Sequence, residues 1–182
     1  MKKTCLIFIL ALLLALITAG TALAKAVQPT GGEAAKFVGI WHGSDVVGAG
    51  YSDRWAFYPD GTYVFGENEM DSLKRTRYKQ GTWSVSDGRL TLVTKRELIW
   101  EGGRIGEDPI YVSGKSIQGK KNVRKLLNPP TIETLPIREL PFDRERGLRM
   151  ISIGAWYYWD YSGQPGIMDG YQEFLSDAGK NP

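Results

Sequence analysis

Two segments of the chain have the pattern of β-hairpins, and they restrict the fold more than any other feature of the sequence. Aromatic and β-branched residues from Arg54 to Phe65 flank Pro59-Asp60-Gly61, a turn in which proline presets φ and glycine accepts a positive φ. The segment from Tyr78 to Trp100 repeats this arrangement around Ser86-Asp87-Gly88, and its second half alternates apolar with polar residues, as half-buried strands do. No long amphipathic helical pattern is present. The sequence therefore predicts an all-β fold with antiparallel strands.

Three other segments add to the predicted strands. Phe37 to Val47 and Pro109 to Ile117 lie between turn signals and carry aromatic or β-branched residues, which strands prefer. Leu148 to Tyr161 is apolar on both faces, so we expect a strand that is covered on both sides or bends at Gly154 through a bulge. About eight short strands joined by tight turns are typical of a β-barrel, whose closure removes exposed edges.

The segment from Gly119 to Asp143 has no regular pattern and contains four prolines. Proline lacks the N–H that a central strand or a helix interior requires. We therefore expect an irregular insertion before the last strand, in which Ile132 to Leu140 forms at most an edge strand. Because long loops of compact domains are often functional, residues 119–146 are a candidate lid or docking surface.

The first 24 residues predict a cleavable signal peptide. Lys2 and Lys3 precede an apolar run of twelve residues, and Ala22-Leu23-Ala24 supplies small residues at the cleavage site. The run is shorter than the about 20 residues that a membrane span needs. We expect a periplasmic or secreted protein without a membrane anchor, a flexible lead over residues 25–35, and a short helix from Tyr171 to Ala178.

Charge and cysteine content exclude several classes of protein. Removal of Lys2 and Lys3 leaves 21 of the 23 basic residues against 20 acidic ones, so no strong field favours a nucleic-acid partner. Cys5 is the only cysteine and precedes the apolar run, whereas a lipoprotein carries its cysteine at the cleavage site. The mature chain therefore has no disulfide, no thiolate metal ligand and no cysteine nucleophile.

The order of motifs over residues 37–95 resembles that of bacterial lipocalin-like (calycin) domains. Phe37-Val-Gly-Ile-Trp41 is similar to the Gly-x-Trp of the first lipocalin strand, and the segments Phe57 to Tyr63 and Gly81 to Leu92 look like the hairpins that follow. The resemblance implies a single antiparallel lipocalin-like β-barrel over residues 36–182.

The same resemblance assigns structural roles to three residues. Gly39 and Trp41 occupy the positions of the family's Gly-x-Trp, whose tryptophan closes one end of the barrel. A basic residue of the last strand packs over that tryptophan in the family. Arg149 is the only arginine of the predicted closing strand, so we expect it to form a cation–π contact with Trp41.

Six tryptophans follow the signal peptide, and aromatic side chains line many binding pockets. Core packing accounts for most of them, although Trp156 and Trp159 cannot both face inward, because residues three apart lie on opposite faces of a regular strand. The first functional hypothesis is a non-enzymatic protein that holds a small, partly apolar ligand inside the barrel. The candidate ligand-binding residues are Trp55, Phe57, Tyr63, Trp83 and Trp156.

Two other functions remain open. A protein-interaction module, such as an exported inhibitor or an envelope assembly factor, would use a filled barrel as a rigid platform. A hydrolase would need two carboxylates at a defined separation, which no motif indicates. His42 is the only histidine, so a zinc site lacks ligands and a structural role for His42 is favoured. We expect no cofactor.

Acidic and basic residues also cluster along the sequence. Acidic residues Asp45, Asp53, Glu67 and Glu69 could gather at one loop end and bind calcium, but they lack the spacing of a calcium loop. Basic residues cluster at 74–79 and 115–125. They form either a solvated face or a patch for anionic polymers or lipid headgroups.

Overall fold

Eight antiparallel strands form a closed ring, in which each strand pairs with its neighbours in the sequence and the last strand pairs with the first. The computed structural model describes residues 32–45 and 52–164. The strands are β1 Gly39–His42, β2 Arg54–Phe57, β3 Thr62–Gly66, β4 Thr76–Ser86, β5 Arg89–Glu107, β6 Lys115–Asp143, β7 Leu148–Ile153 and β8 Trp156–Asp160. The predicted all-β, antiparallel class is confirmed.

A 3₁₀ helix, Gly32–Phe37, precedes the first strand. Residues 32–35, which the sequence assigns to a flexible lead, therefore belong to the folded part of the chain. The predicted signal peptide and the predicted terminal helix lie outside the described residues. Within the described residues, no helix is long and apolar enough to cross a bilayer.

The interior of the ring is filled by aromatic and aliphatic side chains. The Trp55 ring lies 4.4 Å from Phe65 and 5.6 Å from Phe57, and Phe57 lies 4.8 Å from Trp83, centroid to centroid. These are the separations at which aromatic pairs attract one another. Leucine and isoleucine side chains of strands β5 and β7 complete the same cluster. Burial of these rings is the main source of stability for a domain with no thiol to cross-link it.

The 3₁₀ helix covers one end of the ring, which we call the closed end. Phe37 enters the core, and its carbonyl accepts a 2.7 Å hydrogen bond from Trp41 Nε1. The Arg149 guanidinium lies over Trp41, with Cζ 5.1 Å from the ring centroid. Arg149 also donates to Asp160 Oδ2 at 2.7 Å and to the Lys36 carbonyl at 3.1 Å. Arg149 belongs to β7, whereas β8 is the strand that closes the ring.

Two glycines are required where the chain passes other atoms closely. Gly39 has φ +147°, and a Cβ there would lie 2.6 Å from Ser162 Oγ. Gly81 faces Tyr63 on one side and Thr94 on the other, and the Tyr63 hydroxyl reaches Thr94 Oγ1 at 2.6 Å. A Cβ at position 81 would lie 1.9 Å from the Val93 carbonyl oxygen.

The prediction of an irregular insertion over residues 119–143 is wrong. These residues belong to β6, a strand of 29 residues. Its prolines are accommodated largely by register shifts, because a single residue of β5, Lys95, faces the four residues 127–130. Pro141 lies in a second shift, between Leu140 and Asp143. The predicted strand from Pro109 is also wrong, because β6 begins only at Lys115.

The predicted single strand from Leu148 to Tyr161 is two strands. Gly154 and Ala155 form a tight turn between β7 and β8, and Ile153 pairs with Trp156 across it. The expected change of direction at Gly154 is therefore a complete reversal and not a bulge. This reversal supplies the eighth strand of the ring.

Strands β5 and β6 continue past the ring as an extension that is two-stranded beyond Ile99, and we call residues 96–107 and 115–126 the ribbon. Strand β4 pairs with β5 only as far as Ile99, whereas β6 pairs with β5 to Glu107. The ribbon lies on the side where β3 ends, because Ser72 of the β3–β4 loop hydrogen bonds to the Lys115 carbonyl. That end of the ring, opposite the 3₁₀ helix, is called the open end.

Replacement of Gly81 by alanine is expected to lower the free energy of unfolding by at least about 2 kcal/mol, because backbone must move to admit the methyl group. Urea denaturation measures this change. Gly163→Ala is the matched control, since a Cβ there meets no atom within 4 Å. An equal urea midpoint for the two variants would show that position 81 tolerates a side chain.

Replacement of Arg149 by alanine is expected to lower the free energy of unfolding by about 1–2 kcal/mol, because it removes both the cation–π contact with Trp41 and the hydrogen-bonded ion pair with Asp160. Arg144→Ala, at another exposed arginine, should leave the thermal midpoint unchanged. If the two variants melt alike, Arg149 does not secure the closed end.

Candidate functional site

A cavity of about 350 Å³ lies at the open end of the ring, outside the packed interior. One wall is polar and comes from the start of β2 and the β3–β4 loop. The other wall is aromatic and comes from β8. The side chains of the polar wall are Asp53, Glu67, Asn68, Asp71 and Lys74, and those of the aromatic wall are Trp156, Tyr157 and Tyr158.

An ion pair organises the polar wall. Lys74 Nζ lies 2.6 Å from Glu67 Oε1 and 3.7 Å from Asp71 Oδ2. The Glu67 side chain is almost fully buried. Its burial raises the pKa of Glu67, Lys74 opposes this, and the neighbouring Asp53 carboxyl raises the pKa further. Burial of Lys74 lowers its pKa, but the hydrogen bond and charge of Glu67 outweigh burial, so the pKa is raised.

Hydrogen bonds from side chains to backbone groups hold the β3–β4 loop, which carries most of this wall. Asp53 Oδ1 accepts the Asn68 N–H at 2.9 Å, which ties the loop to β2. The buried Arg77 guanidinium donates to the carbonyls of Asn68 and Asp71, both at 3.2 Å. Charge-assisted hydrogen bonds of this kind are about twice as strong as neutral ones. The polar wall is therefore held in place before any ligand arrives.

Strand parity accounts for the aromatic wall. Trp156 and Tyr158 are two residues apart and so lie on the same face of β8. Tyr158 is buried in the core, whereas Trp156 is 72% exposed. Strand β1 ends at His42, which pairs with Trp159, so Trp156 extends past the last residue of the ring. Its indole therefore forms part of the cavity rim.

The other two aromatic residues differ in what they offer. Tyr157 lies on the opposite face of β8 and is 54% exposed. Burial raises the pKa of Tyr158 to about 12, so its hydroxyl stays protonated at neutral pH. On the cavity side, the wall thus combines the accessible indole of Trp156 with the neutral hydroxyl group of Tyr158.

The predicted ligand-binding residues do not form one site. Trp55, Phe57, Tyr63 and Trp83 lie in the interior, where they are buried and contact one another. The prediction that Trp156 lines the interior is wrong, because it lies at the rim of the open end. Trp156 and Trp159 are on opposite faces of β8, as their spacing requires; Trp159 Nε1 donates to Asp143.

Sequence reasoning did not identify the cavity, although it grouped some of its residues. Asp53 and Glu67 line the cavity together. Glu69 instead pairs with Arg54 at 3.0 Å, and Asp45 pairs with Arg146. In residues 32–45 and 52–164, no three His, Cys, Asp or Glu side chains are placed to hold a metal ion. Turn signals could have shown that the β1–β2 and β3–β4 connections share one end.

His42 lies beside the cavity but is fully buried. Its Nδ1 is 3.3 Å from the Ser44 backbone N–H, and its ring meets Tyr161 edge to face at 5.8 Å. Burial lowers the pKa of His42, with a smaller opposing effect of the Ser44 carbonyl. A buried, neutral imidazole with these partners is structural.

The lowered pKa of His42 makes the free energy of unfolding depend on pH. Below about pH 6.5 the unfolded chain takes up a proton on His42 that the folded chain does not. The free energy of unfolding should therefore fall as the pH drops below that value. Since His42 is the only histidine, His42→Gln should flatten the dependence between about pH 7 and 5. Urea denaturation across this range measures the free energy of unfolding. If it changed equally with pH in the wild type and in His42→Gln, His42 would not be the buried, neutral group responsible.

Comparisons of the chain with protein-family models, with curated proteins and with solved structures found no match. What is established is an all-β ring of eight antiparallel strands with a filled interior.

Proposed function

We propose that this chain is a non-enzymatic, lipocalin-like binding protein that holds a small saccharide at the open end of its ring. The observation that supports this most directly is the pairing of an exposed indole with a fixed polar wall across one cavity. The proposal keeps the small, partly apolar ligand expected from the sequence. It moves the ligand from the interior to the rim, because the interior is occupied by the protein's own side chains.

The two walls complement the two kinds of surface on a sugar. The faces of a pyranose ring carry C–H groups, which pack on an aromatic ring such as the exposed indole of Trp156. Its hydroxyl groups donate to carboxylates and amides, which Asp71 and Asn68 provide, and accept from ammonium groups such as Lys74. A volume of about 350 Å³ is at the lower end of the range for small-ligand pockets, which suits one or two sugar units.

Binding fits the carboxylates better than hydrolysis does. Glycosidases hold their two carboxyl groups about 5–9.5 Å apart, on either side of the bond that is cleaved. Asp53 and Glu67 instead adjoin one another, and each already has a partner, in Asn68 and Lys74. We infer that they hold the wall and accept hydrogen bonds. With the signal peptide expected over residues 1–24, the site would meet its ligand outside the cytoplasm.

A second candidate function is the protein-interaction module. The filled interior favours it, because such a module needs a rigid platform and no internal space. The ribbon, which extends beyond the ring, would be its contact element. The two functions use different surfaces and do not exclude each other.

Binding can be tested on an array of immobilised mono- and oligosaccharides probed with the purified chain. We expect retention of a defined set of sugars and a loss of at least about tenfold in affinity for Trp156→Ala, because stacked aromatic anchors dominate such sites. Phe142→Ala is the matched control, since Phe142 is a comparably exposed ring that does not line this cavity.

Native mass spectrometry of the protein purified from its own cells provides an independent measurement. An added mass that equals one or two sugar units and disappears on denaturation would support the proposal. A bare chain that retains no sugar on the array would overturn it. Release of shortened sugars during incubation would instead indicate a hydrolase.

A further inference from the structure

The ribbon leaves one edge of β6 without a partner strand. Among the described residues, β6 pairs with β7 only from Ile137 onward, and every earlier contact of the strand ladder is with β5. Unpaired edges of this length are templates for another strand. The ribbon is therefore a place where a second polypeptide can add to the sheet.

Hydrogen bonds on β5 show which backbone groups of β6 point to that edge. The Trp100 N–H donates to the Arg75 carbonyl at 2.7 Å, and Arg75 Nη1 donates to the Trp100 and Gly102 carbonyls at 3.1 and 2.8 Å. Trp100 thus directs both its backbone groups away from β6, and Gly102 directs its carbonyl away. Asn122, the cross-strand partner of Trp100, must direct its own N–H and carbonyl away from β5, because the backbone groups of both residues in a non-hydrogen-bonded antiparallel pair point outward.

The charge along this edge has one sign. The strand carries Lys115, Lys120, Lys121, Arg124 and Lys125, and no acidic residue occurs on it before Glu133. Lys115, Lys121 and Lys125 face Glu107, Glu101 and Glu97 of β5 across the ribbon, and Lys125 Nζ lies 3.3 Å from Glu101. Five cations of β6 thus stand against three carboxylates, so an approaching acidic chain meets a net positive charge.

One contact concentrates this charge. Lys120 Nζ lies 3.4 Å and Arg77 Cζ 4.3 Å from the Trp100 ring, so two cations share one indole. Burial lowers the pKa of Lys120, and the charge of Arg77 lowers it further. A carboxylate placed at this edge would relieve the repulsion between the two cations.

Exposed apolar side chains are also concentrated around the ribbon. They lie on its strands, at its tip and on the next part of β6, and they are Ile105, Ile110, Val112, Leu126 and Ile132. Exposed apolar groups that flank charged ones are common at protein interfaces. They would pack against the alternate side chains of an added strand.

We propose that the edge of β6 between Lys120 and Leu126 binds an extended acidic segment of a partner protein, which adds to the ribbon as a further strand. The unpaired backbone supplies the main-chain hydrogen bonds, and the cations select an acidic sequence. A second copy of this chain does not fit, because two such edges would bring the same cations together. This interaction is separate from the saccharide site and does not depend on it.

The test uses the purified chain and a synthetic peptide of about ten residues, a typical upper length for a strand, in which glutamate alternates with threonine and valine. Calorimetry should show binding that weakens with added salt. Asn122→Pro should lower the affinity at least about tenfold, because proline removes the outward N–H while the pairing with β5 needs none from this residue. Asn122→Thr, which keeps the N–H, should bind like the wild type.

Two further measurements separate backbone pairing from charge. Lys120→Gln combined with Lys121→Gln should weaken binding and reduce its salt dependence. Hydrogen exchange at the Asn122 amide should slow when the peptide is added to the wild-type protein, whereas exchange at Val123, already paired with β5, should change little. This readout does not rely on the folding of a variant.

Three results would overturn the proposal. The first is the absence of peptide binding, or equal binding by Asn122→Pro and the wild type. The second is binding of long-chain polyphosphate without binding of the peptide, which would make the edge a site for anionic polymers. The third is a dimer in sedimentation analysis that Asn122→Pro converts to a monomer, which would make a second copy the occupant.

Discussion

The packing of aromatic rings inside the strand ring is the interaction on which the rest of the structure depends. Trp55, Phe57, Phe65 and Trp83 meet at centroid separations of 4.4–5.6 Å, and each large buried side chain contributes about 1.5–3 kcal/mol relative to exposure. Strands β1, β2 and β3 have only four or five residues each, so hydrogen bonds alone would hold this part of the ring weakly. With the interior occupied, any binding surface is displaced to the ends or the exterior.

Local turn chemistry made part of this fold predictable. Asp60-Gly61 and Asp87-Gly88 predict reversals that the structure contains. The strands next to them match the predicted residues closely, except that β5 ends at Glu107 and not at Trp100. The turn at Gly154 and Ala155 was missed, because it lies inside an apolar run with no polar turn residue. The long strand β6 is not predictable from the sequence, because proline usually excludes ladder pairing, whereas here register shifts absorb residues 129, 130 and 141.

The open-end cavity could not be predicted, because it depends on how strands of unequal length are aligned. Strand β1 ends at the level of Trp159, and that alignment alone decides that Trp156 lies at the rim and not in the core. Lys74 and Glu67 are seven residues apart on an irregular loop, where no periodicity indicates that they meet. The contact of Arg149 with Trp41 was expected only through family resemblance, since spacing cannot show that a residue near the chain's end returns to its first strand.

The Arg77 side chain contacts both the wall of the cavity and the ribbon. Its two terminal nitrogens hold the carbonyls of Asn68 and Asp71 in the cavity wall, and its planar group rests on Trp100 of the ribbon. A displacement of that indole would move the guanidinium and, through its hydrogen bonds, the loop that carries the polar wall. If a ligand at one surface changed the affinity of the other, the converse effect would have the same size, because linkage is reciprocal. The open end and the ribbon are thus joined through one buried cation.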